Sequence, residues 1–153
     1  TVGANVDTIN VSATVEDEKS TLTGDGIHSL VKGKNKILLK VVNSGIERVY
    51  TLNILREYNS DNKLISLTTD KGSLTPEFNS DINNYVVDVD ENTDNITVNA
   101  TANPDSLVTG TGNYLLNKGE NTITITVTAE DGSKKTYKIT VTREEEKKNE
   151  PVL

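Results

Sequence analysis

The sequence predicts an all-β fold: antiparallel β-sandwiches in tandem, the first of them incomplete. Two observations predict it. Apolar residues alternate with polar ones at a period of two, most cleanly at Ile123, Ile125 and Val127 between Thr122, Thr124, Thr126 and Thr128, as in a strand with one buried and one wet face. The second is repetition: "KGENTITITVTAEDGSKKTYKITVTRE" from Lys118 has a degraded copy, "KGKNKILLKVVNSGIERVYTLNILRE", from Lys32. No segment carries a convincing helical period.

The better copy justifies its elements in order. Leu64–Thr69 reads as a first strand, followed by the turn-rich "KGSLTPEFNSDINN". Tyr85, Val87 and Val89 alternate with Val86 and Asp88, and Ile96, Val98 and Ala100 with Thr97, Asn99 and Thr101. Residues 122–128 and 136–142 form an antiparallel hairpin, with Tyr137, Ile139 and Val141 on one face of the second strand. Asp131-Gly132 between them supplies the positive φ of a tight turn. Short strands punctuated by Gly, Asn and Asp read as a sandwich.

Overlaying the first copy uses an offset of 87 residues, or 86 around the KG-x-N segment. Ile9, Val11 and Ala13 fall on Ile96, Val98 and Ala100. Gly45, Tyr50 and Arg56 fall on Gly132, Tyr137 and Arg143. Thr1 falls on Asp88, so the first unit lacks counterparts of roughly residues 63–87. The expected organisation is an incomplete sandwich at 1–57, a linker at 58–63, a complete sandwich at 64–144, and a charged linker or tail at 145–153.

Composition narrows the function classes. Of 153 residues, 33% are hydrophobic and 4% aromatic, a mix suited to thin sandwiches with Thr-rich outer faces. Without Cys there is no disulfide framework or thiolate metal site. The net charge of −7 argues against nucleic acid and anionic membrane surfaces, which would repel it. No stretch approaches the roughly 20 apolar residues of a membrane helix. A chain beginning with Thr1 and lacking Met is expected to be part of something longer or a processed product.

The second copy resembles the cadherin-like β-sandwich repeat of bacterial surface and secreted proteins. Leu64, Leu67, Gly72, Leu74, Pro76, Phe78 and Tyr85 match its opening pattern. Lys118, Gly119, Asn121, Gly132, Tyr137, Val141 and Arg143 match its closing pattern. The resemblance covers the second copy in full and the first by its latter half. It implies an immunoglobulin-like sandwich in an extracellular, secreted or wall-associated protein, and it implies no catalytic residues. Tyr85 and Tyr137 are expected to fill the core with their hydroxyls at an edge, and Phe78 to plug one end.

Chemistry is sparse. The only His, His28, lies where the second copy has Asn113 or Tyr114, and no orienting constellation surrounds it. The 23 Asp and Glu residues form pairs by chance but show no cleft to perturb them. Asp88, Asp90, Glu91 and Asp94 form a candidate weak Ca²⁺ loop, since Ca²⁺ collects oxygens from such segments; the equivalent loop of the first copy has only Asp7. An internal Lys–Asn crosslink needs an inward Lys, whereas Lys36, Lys40 and Lys138 have outward parity. Sequons at Asn10, Asn95 and Asn99 are expected by chance in an Asn/Thr-rich chain. No cofactor is expected beyond that Ca²⁺.

Contact surfaces are a better prospect. Outward Thr124, Thr128, Thr136 and Thr142 of the second copy become Leu38, Val42, Val49 and Leu55 in the first, a candidate partner-contact face. A half-sandwich cannot cover its own core face. The missing strands are expected from another copy of the chain, from a complementing N-terminal fragment, or from shielding by the second unit. The partners expected are neighbouring domains of the same polypeptide and such completing chains. The function expected is a non-catalytic structural spacer or stalk. The alternative is a protein- or glycan-binding adhesion module, for which Tyr58 and Tyr114 are the aromatics outside paired core positions.

Overall fold

The computed structural model describes residues 1–147 and 151. The described chain is all-β and divides into two compact units, Thr1–Asn59 and Ser60–Leu153.

The second unit is a seven-stranded sandwich. Its strands are β6 (Leu64–Thr69), β7 (Asn84–Val89), β8 (Asn95–Ala102), β9 (Leu107–Thr109), β10 (Gly112–Leu115), β11 (Gly119–Thr128) and β12 (Lys134–Arg143). They form two sheets, ordered β10-β8-β6 and β7-β12-β11-β9. The β11–β12 hairpin is antiparallel in unbroken register, with Ile123 opposite Ile139. Strand β7 instead runs parallel to β12, with Tyr85 opposite Ile139 and Val89 opposite Arg143. The period-two residues meet between the sheets as expected: Ile96, Val98, Ile125, Val127, Tyr137 and Ile139 are sealed from solvent. Tyr137 donates its hydroxyl proton to Ser80 O (2.7 Å) and accepts from Leu64 N–H (3.1 Å). Tyr85 does the same with Asn79, donating to its O (2.7 Å) and accepting from its N–H (3.1 Å). Both phenols therefore bury an apolar ring without orphaning the oxygen. Phe78 packs beside them, 6.2 Å from the Tyr85 ring.

The first unit contains five strands: β1 (Thr8–Val11), β2 (Thr21–Thr23), β3 (Gly26–Ser29), β4 (Gly33–Asn43) and β5 (Ile46–Arg56). The sheets are β1-β3 and β2-β4-β5, the counterparts of β8-β10 and β9-β11-β12. Strands equivalent to β6 and β7 are not among them. What remains of the latter is Val2, which bridges Arg56 in parallel, as Val89 does Arg143.

Where residues 1–59 supply no counterpart of a strand, its neighbours differ locally. Strand β8 pairs with β10 through its first half and with β6 through its second. Its counterpart β1 stops at Val11, and residues 12–15 form no ladder. The core shrinks in the same way. Among the described residues the buried core cluster numbers fourteen residues in the second unit and five in the first, namely Val11, Leu30, Ile37, Leu39 and Ile54.

The expected linker at 58–63 is divided between the units. Ser60 O and Asp61 O accept hydrogen bonds from Ser133 and Ser106 of the second unit. Of the tail, residues 148–150, 152 and 153 lie outside the described residues. Glu146 pairs with Lys118 at 2.5 Å, and Lys118 holds its carboxyl below the usual carboxylate range by a hydrogen bond.

Candidate functional site

The repeated polar residues come first, because they are where a repeated site would lie. Gly33 and Gly119 both take φ of 85°, a left-handed value that glycine tolerates and other residues resist. Two residues on, Asn35 folds back on the same loop. Its Nδ2 donates to Val31 O and its Oδ1 accepts from Val31 N–H, both at 2.8 Å. Asn121 repeats both bonds with Asn117 at 2.8 Å. The KG-x-N signature is therefore a loop latch.

Arg56 and Arg143 form a second pair of latches. Arg143 donates from Nε and Nη2 to Glu91 O (3.0 and 2.7 Å) and from Nη1 to Leu116 O (2.8 Å). Arg56 donates in the same pattern to Ala4 O (3.2 and 2.9 Å) and Leu30 O (2.7 Å), and adds an ion pair with Asp7. A guanidinium is suited to this because its donors lie in a planar fork.

His28 also has a structural counterpart. Its Nε2 lies 2.7 Å from Gly24 O, and the Tyr114 hydroxyl donates to Gly110 O at 2.6 Å. A carbonyl can only accept, so His28 carries its proton on Nε2. Gly24 and Gly110 in turn lie hard against the neighbouring strand: a Cβ on either would sit 2.0 Å from Leu38 O or 2.1 Å from Thr124 O. Tyr114 is half-buried against the core, with its polar end bonded to that carbonyl.

The candidate Ca²⁺ loop is held by its own turn. Asp90 Oδ1 accepts from Asn92 N–H (3.1 Å) and the Thr93 hydroxyl (2.8 Å), and Asp94 Oδ1 accepts from Asn95 Nδ2 (2.7 Å). The main-chain carbonyl of Glu91 accepts from Arg143 Nε and Nη2. Asp88 lies within β7. Among the described residues no three His, Cys, Asp or Glu side chains gather at a point suited to a metal ion.

The candidate contact face is placed on the β4–β5 ribbon. Leu38 is opposite Thr51, Val49 opposite Lys40, Val42 opposite Glu47 and Leu55 opposite Lys34. Leu38, Val49 and Leu55 are exposed and Val42 is half-buried. The intervening Lys40–Glu47 ion pair (2.5 Å) breaks up this surface.

A broad concavity lies on the opposite, inward face of that ribbon. It is an open cleft of about 1020 Å³ in the first unit, floored by Leu22, Leu39, Val41, Tyr50 and Leu52 and walled by Ala13 and Val15. The floor residues are counterparts of Val108, Ile125, Val127, Tyr137 and Ile139, all buried in or packed against the core of the second unit. Overlay alone places Tyr50 in a core like Tyr137. Tyr50 is 50% exposed and Tyr137 0%, because the segment carrying Ser80 and Leu64, which receives the Tyr137 hydroxyl, has no counterpart in the first unit. At the rim, Asp17 accepts from Lys19 N–H and Asn43 Nδ2, both at 2.9 Å. The Lys19 backbone bond, then that from Asn43, holds its carboxyl below the usual range.

A family model for the cadherin-like beta sandwich domain matches residues 64–144, more than half the chain. The chain belongs to the cadherin-like β-sandwich family. The matched stretch runs from the start of β6 to just past β12 and so takes in all seven strands of the second unit. The fibronectin(III)-like modules of Clostridium thermocellum CbhA align over 93% of this chain and 88% of their own at 16% identity, with a TM-score of 0.24; so low a score supports no structural inference. No curated protein matches the chain. Cadherin-like units are commonly extracellular and typically non-catalytic. No helix among the described residues is long and apolar enough to cross a membrane.

Proposed function

We propose that the chain is a non-catalytic spacer in a cell-surface or secreted multidomain protein of a bacterium, holding its neighbours apart. One observation carries this reading. The polar residues that recur in both cadherin-like units, Asn35 with Asn121 and Arg56 with Arg143, bind main-chain carbonyls and so maintain the sandwich. A catalytic or ligand-binding repeat would instead keep recurring polar groups directed at a shared opening. The mechanism is geometric: folded modules joined by a short linker set a separation, which flexible chain does only loosely.

Energy transfer between dyes at the two termini tests this. Inserting a further copy of residues 64–144 ahead of Glu145 is expected to lower the transfer efficiency, and deleting that stretch to raise it. Unchanged efficiency in both variants removes the spacer reading. Retention of the unmodified chain on a polysaccharide matrix, abolished by Tyr58→Ala or Tyr114→Ala, would favour the adhesion reading instead.

A further inference from the structure

We infer that the KG-x-N loop of each unit steers the segment that leaves it, and that the connector between the units is a stiff strut rather than a loose tether. This goes beyond the spacer reading and does not depend on it.

The first unit holds its exit with a ring. Strand β5 ends at Arg56, and two residues on, Tyr58 turns back over Gly33. A Cβ on Gly33 would lie 3.0 Å from the Tyr58 hydroxyl and 3.7 and 3.9 Å from two of its ring carbons. Glycine therefore serves twice at this position. It takes the left-handed φ, and it makes room for the phenol. Tyr58 is 49% exposed, so the ring lies between the loop and water.

The second unit holds its exit with charge. Gly119 takes the same φ as Gly33, but a Cβ there would meet nothing within 4 Å. Instead, Lys118 of that loop pairs with Glu146, which follows the end of β12 at Arg143. In the overlay Glu146 falls on Asn59, the neighbour of Tyr58. A phenol and a carboxylate thus reach the same loop from the same segment. What the two copies share is the path of the departing chain.

Beyond Tyr58 the connector belongs to the second unit. Ser60 O accepts from the Ser133 hydroxyl (3.5 Å) and Asp61 O from the Ser106 hydroxyl (2.6 Å). Asn62 Nδ2 donates to Ser133 Oγ (3.3 Å). Asp61 Oδ1 accepts from Lys63 N–H (3.1 Å), which closes an Asx turn. One residue, Asn59, separates the residue held by the first unit from those held by the second. A stretch held at both ends over so few residues has few backbone torsions left to vary.

Backbone ¹⁵N relaxation of the 153-residue chain tests this on the ps–ns timescale. Order parameters at residues 58–62 are expected near those of the strands, about 0.85. Tyr58→Ala is expected to lower those at positions 58 and 59 below about 0.6, with the strands of both units unchanged. Tyr58→Phe keeps the ring and should keep the order. Salt at about 1 M shortens the screening length to about 3 Å. It should loosen Glu145 and Glu146 but not residues 58 and 59, and Lys118→Ala should do the same without added salt. An order parameter below about 0.6 at Asn59 in the unmodified chain would overturn the inference. So would unchanged order in Tyr58→Ala, or equal loosening of the two exits by salt. Should Tyr58→Ala unfold the first unit, the unmodified chain, Tyr58→Phe and the salt comparison still decide. The spacer reading fails on a mean distance between the termini and this inference on local order, so the two failures are distinct.

Discussion

Tyr50 and Tyr137 occupy the same place in two copies of one hairpin, yet one is half exposed and the other sealed. The hairpins themselves do not account for this, since β4–β5 and β11–β12 are both long antiparallel ribbons in regular register. The difference comes from β6, β7 and the segment between them. They deliver Leu64 and Ser80 to the Tyr137 hydroxyl and close the core from both sheet edges. Burial in this fold is thus a property of the neighbours a strand receives. A hairpin with the right alternation still exposes its apolar face when those neighbours are lacking.

Substitutions can break or sharpen that contrast. The largest expected effect is Tyr137→Ala, which removes a buried ring and two hydrogen bonds and should cost the second unit about 3–5 kcal/mol. Tyr50→Ala should cost the first unit less than about 1 kcal/mol. Urea titrations followed by hydrogen exchange in each unit measure both, and equal losses would mean that the two tyrosines are equally supported. Next come Arg56→Ala and Arg143→Ala, each removing charge-assisted bonds to two carbonyls and expected to cost about 1.5–3 kcal/mol. Because Arg56 has the additional Asp7 partner, its loss should be at least as large, contrary to a ranking by core size.

Gly24→Ala and Gly110→Ala should destabilise their own units by similar amounts, of order 1–3 kcal/mol, since the obstructing carbonyl is equally near in both. This pair is the symmetric control for the tyrosines, read in the same titrations. The smallest effect concerns acid. Asp17 and Asp131 have depressed folded values, Asp17 through Lys19 N–H and Asn43, and Asp131 through the Ser133 hydroxyl and N–H. A depressed carboxylate contributes stability above its unfolded value, about 3.9, and loses it as pH falls through the folded value. Asp17→Asn should therefore flatten the acid limb of the first unit alone, and Asp131→Asn that of the second. Stability measured between neutral pH and pH 3 checks both, with small amplitudes because the two groups are exposed.

Much of this architecture was legible in the sequence, for particular physical reasons. Ile123, Ile125 and Val127 declare a strand and its buried face because a pleat has a period of two. The repeat offset sets Thr1 on Asp88, so the lack of counterparts of β6 and most of β7 within residues 1–59 is legible without any structure. The partner of β7 was not legible: alternation at Tyr85, Val87 and Val89 marks a buried face, but it does not tell a parallel neighbour from an antiparallel one. The arginine latches escaped as well, although Arg56 and Arg143 were aligned. Their partners are carbonyls, which every residue possesses, so no side-chain motif betrays them. The pairing of His28 with Tyr114 was obscured for a related reason. A phenol and an imidazole share little as side chains, but both can present one proton to a glycine carbonyl.

The arginine latches have a consequence for how such repeats can be varied. Arg56 holds loops at Ala4 and Leu30, and Arg143 holds loops at Glu91 and Leu116. Leu30 and Leu116 are buried core positions that repeat, whereas Ala4 and Glu91 share nothing as side chains; because the grip there is on the main chain, those two loops are free to change their lettering while keeping their path. They are natural positions for grafting foreign loop sequences onto this scaffold, and a library randomised there should fold as long as the two arginines and the two leucines stay.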